Sequence, residues 1–357
     1  MAHWRPEPGC SVAIAEPGPP LPNPCGELTA ALFTYFDGRS GTRGASETND
    51  VKQLTFGCLP APSLSGTHML EDDDRQLALY CCYELSYRGF AGVPDELEWD
   101  PGVLALRAQL EAELTYAICA DLKQRPPVPH EPREALQHLA VTPLGPSLSR
   151  YLLGLGTIDQ LAEFCIHRSA YQLKEADPHT WALPRLSGAA KAAMVEIQSD
   201  EYGGGSVESM HAQLFAQTLD ALSLDSRYGI YLDRLPAPTL ATVNLVTMFG
   251  LHRRWRGALV GHLALFEMSS IGSMQRYAET FDRFNLPVSG RRFFDVHVEV
   301  DPRHEDVALN DMVADLLATE PELADDVVFG AAALAAVEAR FTHHLLDSWD
   351  AGRSSLR

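Results

Sequence analysis

The chain has 357 residues, of which 46% are hydrophobic and 21% charged, a composition typical of a globular protein with one large or two moderate domains. A formal net charge of −20 argues against a nucleic-acid partner and an anionic-membrane partner, because both need clustered lysine and arginine. Seven cysteines without any Cys-x-x-Cys spacing predict reduced thiols and a cytoplasmic location. Neither a signal-peptide core nor an apolar run of membrane-spanning length is expected.

The first part of the chain predicts an arm followed by an auxiliary helical region. Residues 1–26 are rich in proline and predict an extended or partly disordered arm. Apolar periodicity then predicts an auxiliary region over residues 27–150, with helices at 26–36, 72–87, 101–122 and 133–152. Within it, Glu84 and Arg88 form an i,i+4 pair, which indicates a helix surface or an interdomain contact.

The second part, residues 151–350, reads as one helical domain. Helical patterns cover residues 157–178, 187–222, 237–268, 290–317 and 327–347. Strand-like alternation is nearly absent, so the sequence predicts an all-α fold.

Three potential metal ligands occur at i, i+4 and i+7 on the fourth of these patterns: His297, Asp301 and His304. At 100° per residue they share one helical stripe, with the two histidines about 10 Å apart along the axis. One ion cannot readily take both imidazoles from a straight helix, whereas two ions about 3.5–4 Å apart can take one each. The stripe therefore predicts a two-metal site, and Pro302 within it predicts a kink.

Acidic and imidazole side chains on three other helical patterns can complete such a site. Glu208 and His211 form a Glu-x-x-His pair, of the kind that dimetal helical bundles project into their cores. Glu201 lies seven residues upstream of Glu208, while Glu267 and Glu175 occur on the third and first patterns. Carboxylates mixed with imidazoles and without thiolates favour iron, with manganese as an alternative.

Each of these features also has an ordinary structural interpretation. Glu175 beside Lys174 fits a solvated helix end, Glu267 fits a buried acid paired with an arginine on its own helix, and His297 fits a core histidine. The run of glycines at 203–205 indicates either a bent helix that admits substrate or the end of one helix and the start of another near Ser206.

In their order and spacing these residues resemble the haem-oxygenase-like dimetal oxidases, also called iron-containing redox enzymes. The resemblance covers roughly residues 155–320 and is closest to the N-oxygenating branch of that family. It implies a haem-oxygenase-like helical bundle with an N-terminal helical extension, and it implies the following metal ligands: Glu175, Glu208, His211, Glu267, His297, Asp301 and His304. Glu201 matches an additional carboxylate of the N-oxygenating branch, with a catalytic role.

The same resemblance implies two Fe(II) ions, O2 as a co-substrate, a small nitrogen-containing, amino-acid-like substrate and a possible homodimer. N-oxygenation is the expected reaction. The alternative within the family is C–H abstraction from an aliphatic amino acid, leading to desaturation, C–C cleavage or an aziridine or azetidine ring. From another class of protein, a metal-storage or regulatory bundle is the competing interpretation.

Overall fold

The computed structural model describes residues 18–40 and 68–357, and all regular secondary structure within these ranges is helical. The all-α prediction is confirmed. No helix in the described ranges is both long and apolar enough to cross a bilayer.

The described part of the auxiliary region contains five α-helices. They are α1 (Glu27–Ser40), α2 (Asp73–Glu84), α3 (Pro101–Leu122), α4 (Pro132–Val141) and α5 (Leu148–Gly154). Helix α3 has the predicted bounds because Asp100 caps it, accepting hydrogen bonds from the backbone N–H of Gly102 and Val103. The single helix expected over 133–152 is instead two, since Pro143 and Pro146 interrupt it.

Nine helices follow. They are α6 (Ile158–Gln172), α7 (Asp177–Thr180), α8 (Gly188–Glu201), α9 (His211–Ala221), α10 (Ala237–Leu251), α11 (Arg256–Arg283), α12 (Val288–Asp306), α13 (Ala314–Thr319) and α14 (Ala324–Asp350). Thr157 caps α6 in a reciprocal capping box with Gln160, as its sequence predicts.

The predicted helix over 187–222 is divided where the three glycines occur. All three have positive φ angles, at 64°, 58° and 88°, which terminate α8 after Glu201. A Cβ atom at position 203 would lie only 2.5 Å from the carbonyl carbon of Ser209, so the chain folds back closely there. Of the two alternatives for the glycines, the structure therefore has the second, with the next helix beginning at His211.

Helix α12 continues through Pro302 to Asp306, and a π-helical segment over Val307–Val313 joins it to α13. Helix α11 is the centre of the bundle and packs against α12 and α14. The auxiliary helices α4 and α5 also pack on α11. One hydrophobic core extends from Leu28 to Val337, so the auxiliary helices share the core of the bundle.

The described part of the arm is extended and lies against the helices. Pro19 and Pro22 are buried, and the carbonyl of Pro19 accepts a hydrogen bond of 2.9 Å from the N–H of Ala91. The remaining arm residues, 1–17, lie outside the described ranges.

A fully buried ion pair joins the auxiliary region to the chain immediately before Glu175. The ammonium of Lys174 lies 3.1 Å from a carboxylate oxygen of Glu84, and neither side chain is more than 1% exposed. The hydroxyl of Tyr228 donates to the same carboxylate at 2.8 Å. Lys174 also lies over the ring of Tyr87, 4.3 Å from its centroid. Glu84 therefore makes a contact between the auxiliary region and the rest of the chain, which was one of its two predicted interpretations, although its partner is Lys174 and not Arg88. The alternative interpretation of Lys174 and Glu175 as a solvated helix end is wrong, because both side chains are buried.

We expect Lys174→Met to lower the free energy of unfolding by about 3–5 kcal/mol, because the carboxylate of Glu84 would stay buried without its partner. The double variant Lys174→Met/Glu84→Met should recover much of this loss. Arg303→Met is the control, because it breaks the exposed pair with Glu196, and it should change stability by less than about 1 kcal/mol. Denaturant unfolding measures all three. A Lys174→Met protein as stable as the control would contradict a structural role for the buried pair.

Candidate metal centre

Seven acidic and imidazole side chains meet inside the bundle, and each is at most 5% exposed. Glu175 lies in the turn between α6 and α7, Glu201 is the last residue of α8, and His211 is the first residue of α9. Helix α11 contributes one member and α12 contributes three: Glu267, His297, Asp301 and His304. The structure therefore brings together seven of the eight predicted ligands.

The ligand atoms form two groups that share one carboxylate. The first group is Glu175, Glu201, His211 and His297, and the second is Glu201, Glu267 and His304; within each group the atoms lie within 4.8 Å of one another. In the first, Nδ1 of His211 is 2.8 Å from Glu201. In the second, Nδ1 of His304 is 3.4 Å from Glu267 and 3.8 Å from Glu201. Glu201 belongs to both groups, so two cations held here would share it.

Hydrogen bonds outside the cluster fix which nitrogen of two histidines is available. Nδ1 of His297 lies 2.7 Å from the carbonyl oxygen of Phe293, and donating to it leaves Nε2 free to face Glu175. Nε2 of His304 lies 3.1 Å from the carboxylate of Asp200, which leaves Nδ1 facing Glu267. Metal-binding histidines are usually oriented in this way, by donating the other ring N–H to a carbonyl or carboxylate.

Several atoms of the cluster have no hydrogen-bond partner although they are buried. They are Oε2 of Glu175, Oδ1 of Asp301 and Nδ1 of His304, together with Oε2 of Glu201 and Nδ1 of His211, which lie 2.8 Å apart without hydrogen-bond geometry. Burying such groups unpaired is costly, since each loses its bonds to water without replacement. The four carboxylates would together carry a charge of −4, which two divalent cations balance. The residues present therefore fit a pair of divalent metal ions.

The pKa values reflect the crowding of the carboxylates. Burial, followed by the charges of neighbouring carboxylates, raises the pKa of Glu175 well above its usual value. Burial and the charge of Glu267 raise the pKa of Asp301 to about 8. Burial alone would also raise the pKa of Glu201. The adjacent His211 outweighs burial and lowers the pKa of Glu201 to about 2. Glu201 is thus the carboxylate most readily kept ionised.

Two polar residues that contact the cluster could not be predicted from the sequence. Asp200 orients His304, and Ser270 donates a hydrogen bond from its hydroxyl to Asp301. Both contacts join different helices, and neither residue stands in a recognisable spacing with the ligand it contacts. Only the three-dimensional arrangement reveals them.

Glu208 lies apart from the cluster, contrary to prediction. Its side chain is exposed and accepts a hydrogen bond of 2.9 Å from the hydroxyl of Ser206. The glycines end α8 before this point, so Glu208 falls in a short 3₁₀ turn while His211 begins α9. The two residues therefore do not share a helical face, which was the basis for pairing them.

A cavity of about 730 Å³ adjoins the cluster. The small space around the ligands is also bordered by Tyr171 and His179, and it shares Phe266 and Ser270 with the larger cavity. The side chains of α4, α5, α6, α11 and α14 line that cavity. Cavities of this size are typical of small-molecule sites.

No curated protein matches this chain. A family model described as an iron-containing redox enzyme matches residues 162–339. The matched stretch holds all seven buried side chains of the cluster, and its description agrees with the mixed carboxylate and imidazole donor set. The chain belongs to the iron-containing redox enzyme family.

Proposed function

We propose that the protein is a non-haem diiron oxidase that uses O2 to N-oxygenate a small, amino-acid-like nitrogen compound. The observation that carries the proposal is the pair of buried ligand groups sharing Glu201, next to a cavity large enough for such a substrate. Family membership supports an iron-containing oxidoreductase. The presence of two iron ions and the N-oxygenation reaction are proposals that go beyond family membership.

The donor set supports two iron ions. Carboxylate oxygens and imidazole nitrogens without cysteine are ligands that suit iron or manganese better than structural zinc. Glu175, His211 and His297 would hold one ion, Glu267, Asp301 and His304 the other, and Glu201 would contact both. When bound, ferrous ions supply the electrons needed to reduce O2.

The protein's own residues have separable tasks in this proposal. Glu201, whose pKa is lowered, belongs to both ligand groups and would hold both ions, so it is the residue whose loss should most affect the oxidation itself. Phe293 lies with its ring centroid 4.5 Å from that of His297, and Phe215 packs against Phe293, so these two rings form an apolar part of the cavity wall beside His297. Ser270 lines the cavity, and its hydroxyl donates a hydrogen bond to Asp301.

N-oxygenation is favoured over C–H abstraction because the extra carboxylate, Glu201, is buried within both ligand groups. A storage or regulatory bundle is less favoured, since neither needs a cavity of substrate size beside the metal ligands. A homodimer and a cytoplasmic location remain predictions.

Anaerobic titration with Fe(II) should give two ions per chain. His297→Ala and Glu201→Ala should each reduce this stoichiometry, whereas His343→Ala, which alters an exposed histidine outside the cluster, should not. Affinity should fall as the pH drops below about 8, because Asp301 and Glu175 then hold protons that compete with the metal.

In the same titration, the variant Glu208→Ala tests whether Glu208 becomes a ligand when metal binds. Unchanged uptake would mean that Glu208 stays at the surface when metal binds, while reduced uptake would mean that the segment 202–210 rearranges to bring it in. Uptake of many ions per chain would contradict the enzyme proposal and favour storage. Equal Fe(II) uptake by all the variants would mean that the cluster is not the metal-binding site.

The reaction class is tested by exposing the Fe(II)-loaded protein to O2 with a panel of amino acids and amines, followed by mass spectrometry. N-oxygenation predicts a product that gains one oxygen atom, and Glu201→Gln should lose this product while retaining most of its fold. A product that loses two hydrogen atoms would instead support the C–H abstraction alternative. Far-UV circular dichroism of the variant is the control for folding.

A further inference from the structure

Among the seven side chains of the metal cluster, that of Glu175 is the one that does not project from a helix. The other six belong to α8, α9, α11 and α12, whose backbones are held by regular helical hydrogen bonds. Glu175 lies in the turn after α6, where its N–H donates a hydrogen bond of 3.4 Å to the carbonyl of Gln172. A bond of this length restrains the backbone weakly, so other contacts must fix the position of this carboxylate.

Lys174, the residue before Glu175, anchors this turn to the auxiliary region. Its side chain is buried, and its ammonium pairs with the carboxylate of Glu84. The same ammonium lies over two rings, 4.6 Å from the centroid of Tyr80 and 4.3 Å from that of Tyr87. These contacts leave the ammonium little freedom to move. Consecutive Cα atoms are about 3.8 Å apart across a planar peptide, so an anchored Lys174 restricts where Glu175 can lie.

The carboxylate that receives this ammonium is itself held in place. Glu84 is the last residue of α2, and the hydroxyl of Tyr228 lies 2.8 Å from each of its carboxylate oxygens. The guanidinium of Arg88 lies over the ring of Tyr228, 4.2 Å from its centroid, and 3.5 Å from the carbonyl oxygen of Leu173. Residues at the end of α2 therefore contact two consecutive residues of the turn, Leu173 and Lys174.

Stability alone is a poor explanation for a fully buried ion pair at this place. Taking two charges out of water costs several kcal/mol for each ion, and apolar residues of similar volume often give equal or greater stability. An ion pair differs from apolar packing in being directional, because its atoms must meet at one distance and angle. The pair is therefore better explained by the position that it imposes on the turn.

We propose that Glu84 is a positioning residue of the metal centre, which acts through Lys174 to hold the carboxylate of Glu175 beside His211 and His297. This inference rests on the proposed function and assigns the auxiliary region a part in it. The second ligand group has no member in this turn. Loosening the turn should therefore weaken one cation position and spare the other.

The test measures Fe(II) binding to each variant by anaerobic calorimetry. Glu84→Gln keeps the size of the side chain and removes its charge, so Lys174 loses its ionic partner. We expect the affinity of one of the two Fe(II) positions to fall about 10–100-fold, as is usual when a residue behind a metal ligand is changed. The other position should keep its wild-type affinity.

The double variant Lys174→Met/Glu84→Met separates positioning from stability. Both charges are removed together, so denaturant unfolding should show a stability close to that of the wild-type protein. The turn has nevertheless lost its directional contacts, and the affinity of the same Fe(II) position should stay about 10–100-fold weaker. A purely structural role predicts instead that the affinity recovers together with the stability.

Glu113→Gln is the matched control. Glu113 of α3 pairs with Arg75 of α2 at 3.0 Å, and its other hydrogen-bond partner is Gln109, so it does not bond to the turn. This variant loses a charged pair of the auxiliary region and should keep both Fe(II) affinities.

Hydrogen exchange of the metal-free proteins gives a second measurement. The N–H of Asp177 donates a hydrogen bond of 2.8 Å to the carbonyl of Lys174, so its protection reports on the order of the turn. Protection of this amide should fall in Glu84→Gln and stay unchanged in Glu113→Gln.

Three results would overturn the inference. The first is wild-type affinity at both Fe(II) positions in Glu84→Gln, and the second is recovery of affinity in the double variant. The third is equal weakening of both positions, which would indicate a general loss of structure. Each of these results with two irons bound to the wild-type chain would reject only the role of Glu84. Failure of the wild-type chain to bind iron would reject the proposed function itself.

Discussion

The burial of four carboxylates beside three imidazoles is the constraint on which the structure depends. Anionic groups in the interior require cations or protons, because desolvation is otherwise too costly. Protons satisfy part of this need, as the raised pKa values of Glu175 and Asp301 indicate. The atoms left without partners and the two groups of ligands around Glu201 are explained more fully by two divalent ions.

The auxiliary helices contribute to both sides of the proposed site. Glu84 of α2 pairs with Lys174, immediately before the candidate ligand Glu175. Ser149 of α5 accepts a hydrogen bond from Arg276 in the lining of the cavity. Helices α4 and α5, which help to line the cavity, lie outside the residues 162–339 that the family model matches.

Sequence reasoning succeeded where a single helix sets the geometry. His297, Asp301 and His304 lie on one uninterrupted helix, so the helical period alone placed them together. Helix α3 was predicted at its observed bounds from apolar periodicity, and the structure shows that Asp100 caps its start. Periodicity and capping are local properties, and they can be read without knowledge of the tertiary fold.

The same reasoning failed where the backbone departs from a helix or where distant segments meet. Glu208 was assigned by assuming that its helix continues, but three glycines with positive φ interrupt that helix. Asp200 and Ser270 contact their partners across helices, and a spacing pattern contains no such information. The burial of Glu84 with Lys174, 90 residues apart, was missed for the same reason.

The most direct measurement of the central claim is the anomalous X-ray scattering of crystals grown with iron under anaerobic conditions. The account predicts two iron peaks about 3.5–4 Å apart, one beside His211 and His297 and the other beside His304, with Glu201 contacting both. A single peak, or two peaks with Glu201 turned away from both, would contradict it.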